Sequence, residues 1–234
     1  MNFITIPKIE NHLHLEGAIP LETLWTLIQK YGGDKTVTNY VLLKEKFMYR
    51  NFNHFLETWL WKNTFIREYE DFTFLSDAVF KDLGKQNIKY AEIFISPSEF
   101  RSTLEIQKIV EAISKSINVN PEICVSLIVD LVRNLGSENA MKTLYEINEV
   151  KDMGIIGIGL GGAEKEYPPE LFTDVFEKAR NLGFKTTAHA GEAAGPQSIW
   201  GAIKNLKVDR IGHGTRAIED HELLNYLADN QIPV

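Results

Sequence analysis

Short apolar runs of strand character alternate with longer stretches of helical periodicity along most of this chain, and that rhythm limits the fold more than any other feature. The strand-like runs are Lys8–Leu15, Ile88–Ile95, Ile123–Val132, Ile155–Leu160, Lys185–His189 and Arg210–His213. Within Leu104–Ile117, the residues Ile106, Ile109, Val110 and Ile113 recur at helical spacing. Pro169–Leu182 opens on a proline pair and closes at Gly183, a start and a stop with backbone reasons. His221–Asn230 reads as a further helix. Alternation of this kind predicts parallel strands joined by crossover helices. A doubly wound sheet and a (β/α)8 barrel compete for that pattern. No Gly-x-Gly-x-x-Gly follows the first strand, which weakens the dinucleotide-binding version of the former. Polar residues gather at the C-terminal ends of several strands, as they do in barrel active sites, so a TIM-type (β/α)8 barrel is the expected fold class.

Residues 20–75 interrupt the rhythm with an aromatic-rich insertion after the first strand. Phe55, Leu56, Trp59 and Leu60 share one helical face there. They read either as extra helices packed on the barrel end or as an apolar lid over a planar ligand. The strand count reaches six, with Gln231–Val234 as the start of a seventh. A complete barrel takes about 250 residues and eight strands. Residues 1–234 are therefore expected to form a single barrel domain that is incomplete at its C-terminal part.

With Lys and Arg at 25 against 32 Asp and Glu, the formal net charge is −7, and broad binding to nucleic-acid phosphates is excluded. Cys124 is the only cysteine, so no intrachain disulfide can form. Its place in the apolar run Ile123–Val129 suggests a buried thiol. No segment has the ~18 apolar residues needed to span a bilayer, and no secretory leader is visible at Met1–Lys8. The expected setting is cytoplasmic, away from membranes.

Four strand-end motifs carry the chemistry. In His12-Leu13-His14-Leu15-Glu16-Gly17, strand alternation turns both imidazoles to one face, a natural pair of ligands for zinc or a similar divalent metal. His189-Ala190-Gly191-Glu192 adds a third imidazole and a carboxylate that can move protons beside a metal-activated water. In Gly212-His213-Gly214 the flanking glycines let the backbone bring an imidazole close with little steric cover. Gly159-Leu160-Gly161-Gly162-Ala163-Glu164 reads as a loop after the fourth strand, either a tight turn or a set of backbone amides for a ligand. His54 and His221 read as structural or solvated, and Glu219 and Asp220 as charges at a helix N-terminus. No Cys-x-x-Cys is present, which excludes the His/Cys/Cys zinc deaminases. Walker-type loops and Gly-x-Ser-x-Gly elbows are absent as well.

Taken in order, His12-x-His14-Leu15-Glu16-Gly17, Gly161-Gly162, His189-Ala190-Gly191-Glu192 and Arg210-Ile211-Gly212-His213-Gly214 resemble the adenosine deaminase family, from about Lys8 to the last residue. The resemblance implies a (β/α)8 barrel with one catalytic zinc ion at its C-terminal face. It assigns His12, His14 and His189 as zinc ligands, Glu192 as the proton donor to a purine ring nitrogen, and His213 as the group that orients and deprotonates the attacking water. His14, Glu16 and Gly162 fall at substrate positions, Glu16 on the sugar side and Gly162 through its backbone amide. The implied reaction adds hydroxide to the carbon bearing the exocyclic amine of a 6-aminopurine, a small-molecule partner, and releases ammonia.

Two family features have no match. The Asp-Asp pair after the eighth strand and the Ser-Asn type loop after the seventh are missing, which leaves zinc with three imidazoles and suggests a truncated product. The Glu16 and Gly191–Trp200 segments are closer to bacterial adenosine-deaminase-like enzymes, some of which act on adenine, methylthioadenosine or 6-aminodeoxyfutalosine. Trp200 fits either a roomier sugar-side pocket or core packing. Two rival functions remain at this level. One is another amidohydrolase-type metallohydrolase using the same His-x-His, the other a purine-binding relic without turnover.

Overall fold

A computed structural model describes residues 3–234. Its strands are β1 (Lys8–His14), β2 (Ile88–Ile95), β3 (Cys124–Val132), β4 (Ile155–Gly161), β5 (Lys185–Ala190) and β6 (Arg210–His213). Helices α1 (Leu21–Lys30), α2 (Tyr40–Lys46), α3 (Phe52–Asn63) and α4 (Tyr69–Lys85) lie between β1 and β2. The later connections carry α5 (Ile106–Val119), α6 (Gly136–Asn148), α7 (Thr173–Asn181) and α8 (Pro196–Gly201), and α9 (His221–Asp229) follows β6. The sheet order is β1-β2-β3-β4-β5-β6. Strands in sequential order, each followed by helix, define an incomplete (β/α)-type barrel of six strands with a helical insertion after the first. Backbone contacts divide the chain into two units.

The first unit comprises the chain to Ile93 together with Ser102–Val125. Its core forms where α4 lays Phe72, Leu75, Val79 and Phe80 inward and α5 does the same with Ile109, Val110 and Ile113. Full burial of one such side chain contributes about 1.5–3 kcal/mol. Polar groups lock the pair: Ser116 Oγ donates to Thr73 O at 3.0 Å, and Asn120 Nδ2 to Asp77 Oδ1 at 3.2 Å. The N-terminus of α4 is closed by Glu68 and Asp71 in a reciprocal capping box. Asp71 also accepts from Lys30 Nζ at 2.6 Å, Tyr31 OH at 2.5 Å and the Arg67 amide at 2.8 Å. Within α3, Phe55, Leu56 and Trp59 are half-buried while Leu60 is exposed.

The second unit comprises Phe94–Arg101 and Ser126–Val234. Here β3, β4, β5 and β6 pair in parallel, with β3 against β4 from Leu127↔Ile155 to Val132↔Gly161. Strand β4 lacks alternation because both faces are covered, so its residues read as a continuous buried run. Arg133, fully buried at the end of β3, donates to Tyr167 O at 2.6 Å and His189 O at 2.8 Å, tying three strand-end segments together. After α8 the chain widens into a π-helical turn over Ala202–Leu206 and leaves it through Lys207 at φ 52°.

Three expectations change. Cys124 is exposed, because it is the first residue of β3, ahead of the strand's buried stretch. Gln231–Val234 forms no strand: its one link to β6 is the Ile211 amide donating to Pro233 O at 2.9 Å, and Gln231 has φ 51°. Gly159, Leu160 and Gly161 belong to β4 and are buried, so the loop begins only at Gly162.

Candidate active site

In the first unit, β1 alternates from Lys8 to His12 and then stays half-buried through Leu13 and His14. Lys8, Glu10, His12 and His14 are half-buried, while Ile9 and Asn11 between them are exposed. His12 and His14 lie side by side with ring centroids 5.4 Å apart. The edge of Trp59 from α3 meets the His14 ring at 5.8 Å, which gives one aromatic of the insertion a place beside the histidine pair. An added Cβ at Gly17 would come within 3.1 Å of Trp59 and press on the indole. Glu16 is fully buried in the turn after β1, where the Gly17 and Ala18 amides both donate to His14 O at 3.0 Å.

In the second unit, the ends of β3 to β6 gather the remaining groups. His189 is buried, with Nδ1 3.2 Å from Leu160 O. A carbonyl only accepts, so Nδ1 carries the proton and Nε2 keeps its lone pair for a metal. Asp130, on β3 and 4% exposed, approaches the same ring to 3.9 Å. The glycines of β4 make room for it. A Cβ at Gly159 would sit 2.7 Å from Asp130 Oδ1 and 2.8 Å from the Phe94 ring, and one at Gly161 would overlap the carboxylate. The β4 glycines therefore serve close packing, a requirement as strict as that of a turn.

His213 ends β6 at φ 71°, a conformation that non-glycine residues seldom adopt and that is a strained feature. Its ring centroid lies 5.2 Å from that of His189, and its Nε2 is 3.6 Å from Glu192 Oε2. Burial pushes the Glu192 carboxyl above its ordinary value; His213 opposes that shift and the charge of Glu164 adds to it. Gly162 is exposed at φ 104°, and a Cβ there would fall 2.5 Å from Asn134 Oδ1. Only glycine suits that position. Trp200 lies elsewhere, donating to Asp220 Oδ2 at 2.9 Å and meeting the Tyr226 ring at 5.0 Å, in a surface groove with Gln197, Lys204 and Asn205.

Among the described residues, those able to take part in holding a metal ion are His12 and His14 of the first unit and Asp130, His189 and His213 of the second. Imidazole and carboxylate donors, one of them a buried histidine oriented by a carbonyl, fit zinc. Sequence reasoning had found the histidines and missed Asp130. Its only signal was a single carboxylate inside the otherwise apolar strand Cys124–Val132.

Donors of this kind at the strand ends of a (β/α)-type barrel fit the class of metal-dependent hydrolases. The adenosine deaminase family model matches residues 7–234, and the chain belongs to that family. An adenine deaminase of Ectopseudomonas mendocina (strain ymp) is 34% identical over 233 residues, which are 98% of this chain and 74% of that protein. An adenine deaminase of Bordetella avium (strain 197N) is also 34% identical, over 98% of this chain and 73% of its own length. Among solved structures, the adenine deaminase of Arthrobacter aurescens superposes with a TM-score of 0.91 at 26% identity, covering 97% of this chain and 70% of that one. The N6-mAMP deaminase of Arabidopsis superposes with a TM-score of 0.87 at 26% identity, covering 100% and 73%. Among the described residues, no helix is long and apolar enough to cross a membrane.

Proposed function

We propose that residues 1–234 act as one catalytic domain for zinc-dependent hydrolytic deamination of a 6-aminopurine, with adenine as the preferred substrate and a 6-oxopurine and ammonia as products. The observation that carries this reading is the pairing of Glu192 with His213 at 3.6 Å, at the ends of β5 and β6 and next to the His189 ring. A carboxyl and an imidazole so placed can give and take the protons of a hydrolytic deamination. The relatives named adenine deaminase favour the free base.

In this reading His12, His14 and His189 hold the zinc ion, with Asp130 as the carboxylate on hand beside His189. Zinc, when bound, supplies the Lewis acidity that makes water a nucleophile at neutral pH. His213 orients that water and takes its proton. Glu192, whose carboxyl burial shifts toward the protonated form, donates to the ring nitrogen next to the carbon that bears the amine, which makes that carbon electrophilic. Proton return to the amine lets ammonia leave. Gly162 meets the purine through its amide, a contact that its exposed left-handed backbone leaves open. His14 and Glu16 border the substrate, Glu16 on the side a sugar would occupy.

The test is ammonia release from adenine, adenosine and N6-substituted 6-aminopurines by the zinc-loaded chain. Turnover on at least one, with adenine foremost, is expected. Purine binding with bound zinc and no ammonia from any of them would overturn the reading.

A further inference from the structure

Glu164 lies in the Gly159–Glu164 motif yet has no part in the reaction as described. Its side chain is 3% exposed, and both oxygens accept from one short loop, with the Ser198 hydroxyl of α8 beside them. Oε1 accepts from the Gly191 amide at 2.6 Å, and Oε2 from the Ala193 and Ala194 amides at 2.7 and 2.8 Å. These amides surround the carboxylate as a backbone nest surrounds an anion. Burial works against the charge, and the hydrogen bonds donated to it outweigh burial, so the carboxyl sits below its ordinary value.

The loop that Glu164 grips carries Glu192 in its middle. Its opposite side is pinned as well: Gly191 O accepts from Thr215 Oγ1 at 2.8 Å and from the Arg216 amide at 3.2 Å, just beyond β6. Gly191 itself stands at φ 71°, where an added Cβ would strike Ile199. Glu164 is anchored in turn, since Asn134 Oδ1 accepts from the neighbouring Ala163 amide at 2.9 Å and the buried Arg133 guanidinium attracts its charge. The bonds from the amides of Ala193 and Ala194 to Glu164 are charge-assisted, about twice as strong as neutral ones.

We infer that Glu164 is the positioning residue of Glu192: it clamps the Gly191–Ala194 loop in the one conformation that directs the Glu192 carboxyl at His213. The inference rests on the proton-donor reading of Glu192. A glutamine at position 164 would fill the same space but offer one acceptor and turn an N–H group toward amide donors, so the clamp would lose at least one amide.

The experiment is a double-mutant cycle of Glu164→Gln and Glu192→Gln in the zinc-loaded full chain, read by kcat and KM for adenine, by zinc content, and by hydrogen exchange at the Gly191, Ala193 and Ala194 amides. Expected for E164Q are a fall in kcat of about 30-fold or more, KM within about threefold, unchanged zinc, and loop amides exchanging at least about tenfold faster. In the E192Q background, adding E164Q should cost less than about twofold. An equal kcat loss in both backgrounds, or loop amides that stay fully protected in E164Q, would overturn the positioning role and leave the deaminase reading intact. Full turnover by E192Q alone would overturn the proton-donor reading itself, and the clamp's catalytic purpose with it. Should E164Q not fold, Glu164→Asp, which keeps the charge and shortens the reach, carries the same cycle.

Discussion

The helices before β2 bury a carboxylate completely and the strand-end loops of β4 to β6 only in part, and the two are held in opposite ways. Asp71 on α4 is 1% exposed, and four donors converge on it: Lys30, Tyr31 and the amides of Arg67 and Glu68. Burial opposes its charge, the hydrogen bonds win, and its carboxyl sits below the ordinary value. Glu192 keeps about a third of its side-chain exposure and faces His213 at 3.6 Å. Burial dominates there, and the carboxyl sits above the ordinary value. A saturated acid holds a helix in place, whereas an acid with fewer donors is easier to protonate.

The comparison breaks if the two acids can be exchanged in effect. The largest difference is expected for Glu192→Gln, which should lower kcat on adenine roughly 100- to 10,000-fold while melting temperature and zinc content hold. A fall in stability with preserved turnover would reverse the assignment. Asp71→Asn should do the converse, costing about 2–4 kcal/mol in chemical denaturation while kcat per folded molecule stays the same. Lys30 is 39% exposed, so solvent screening trims its share of that loss. Next in size is Gly161→Ala, whose Cβ would collide with Asp130; a cost of about 1–3 kcal/mol and weaker zinc binding are expected, read by calorimetry.

The smallest effect sharpens the contrast by its sign. The depressed pKa of Asp71 contributes stability that is present above about pH 3.9 and lost as pH falls through the folded value. The raised pKa of Glu192 contributes stability that is present below about pH 4.3 and lost as pH rises through its folded value. Denaturation midpoints across pH 2–8, compared between parent and variants, should show D71N removing the acid-side slope and E192Q removing the opposite one.

Much of this arrangement is readable from residue patterns alone. Ile88–Ile95 and Arg210–His213 lie where the sequence places them, the first between Asn87 at φ 58° and Ser96-Pro97, the second between Asp209 and Gly214. The histidines stand out because strand alternation gives His12 and His14 a common face without any tertiary information. Asp130 does not stand out: it becomes a site residue only through its neighbours Gly159, Gly161 and His189, which lie 29 to 59 positions away. Those same glycines suggest a loop, since glycine serves tight turns and close packing equally well and local pattern does not separate the two. Glu164 is a similar case. Its value comes from three amides some 30 residues on, a long-range contact with no motif of its own.

The central claim is that the strand-end groups of this chain deaminate a 6-aminopurine with Glu192 as proton donor. The most direct measurement follows adenine conversion by the zinc-loaded chain and by its Glu192→Gln variant at matched zinc content. One ammonia released per 6-oxopurine formed, with the variant slowed at least about 100-fold, is the predicted result. Equal rates in the two proteins, or zinc and adenine both bound with no ammonia from either, would contradict it.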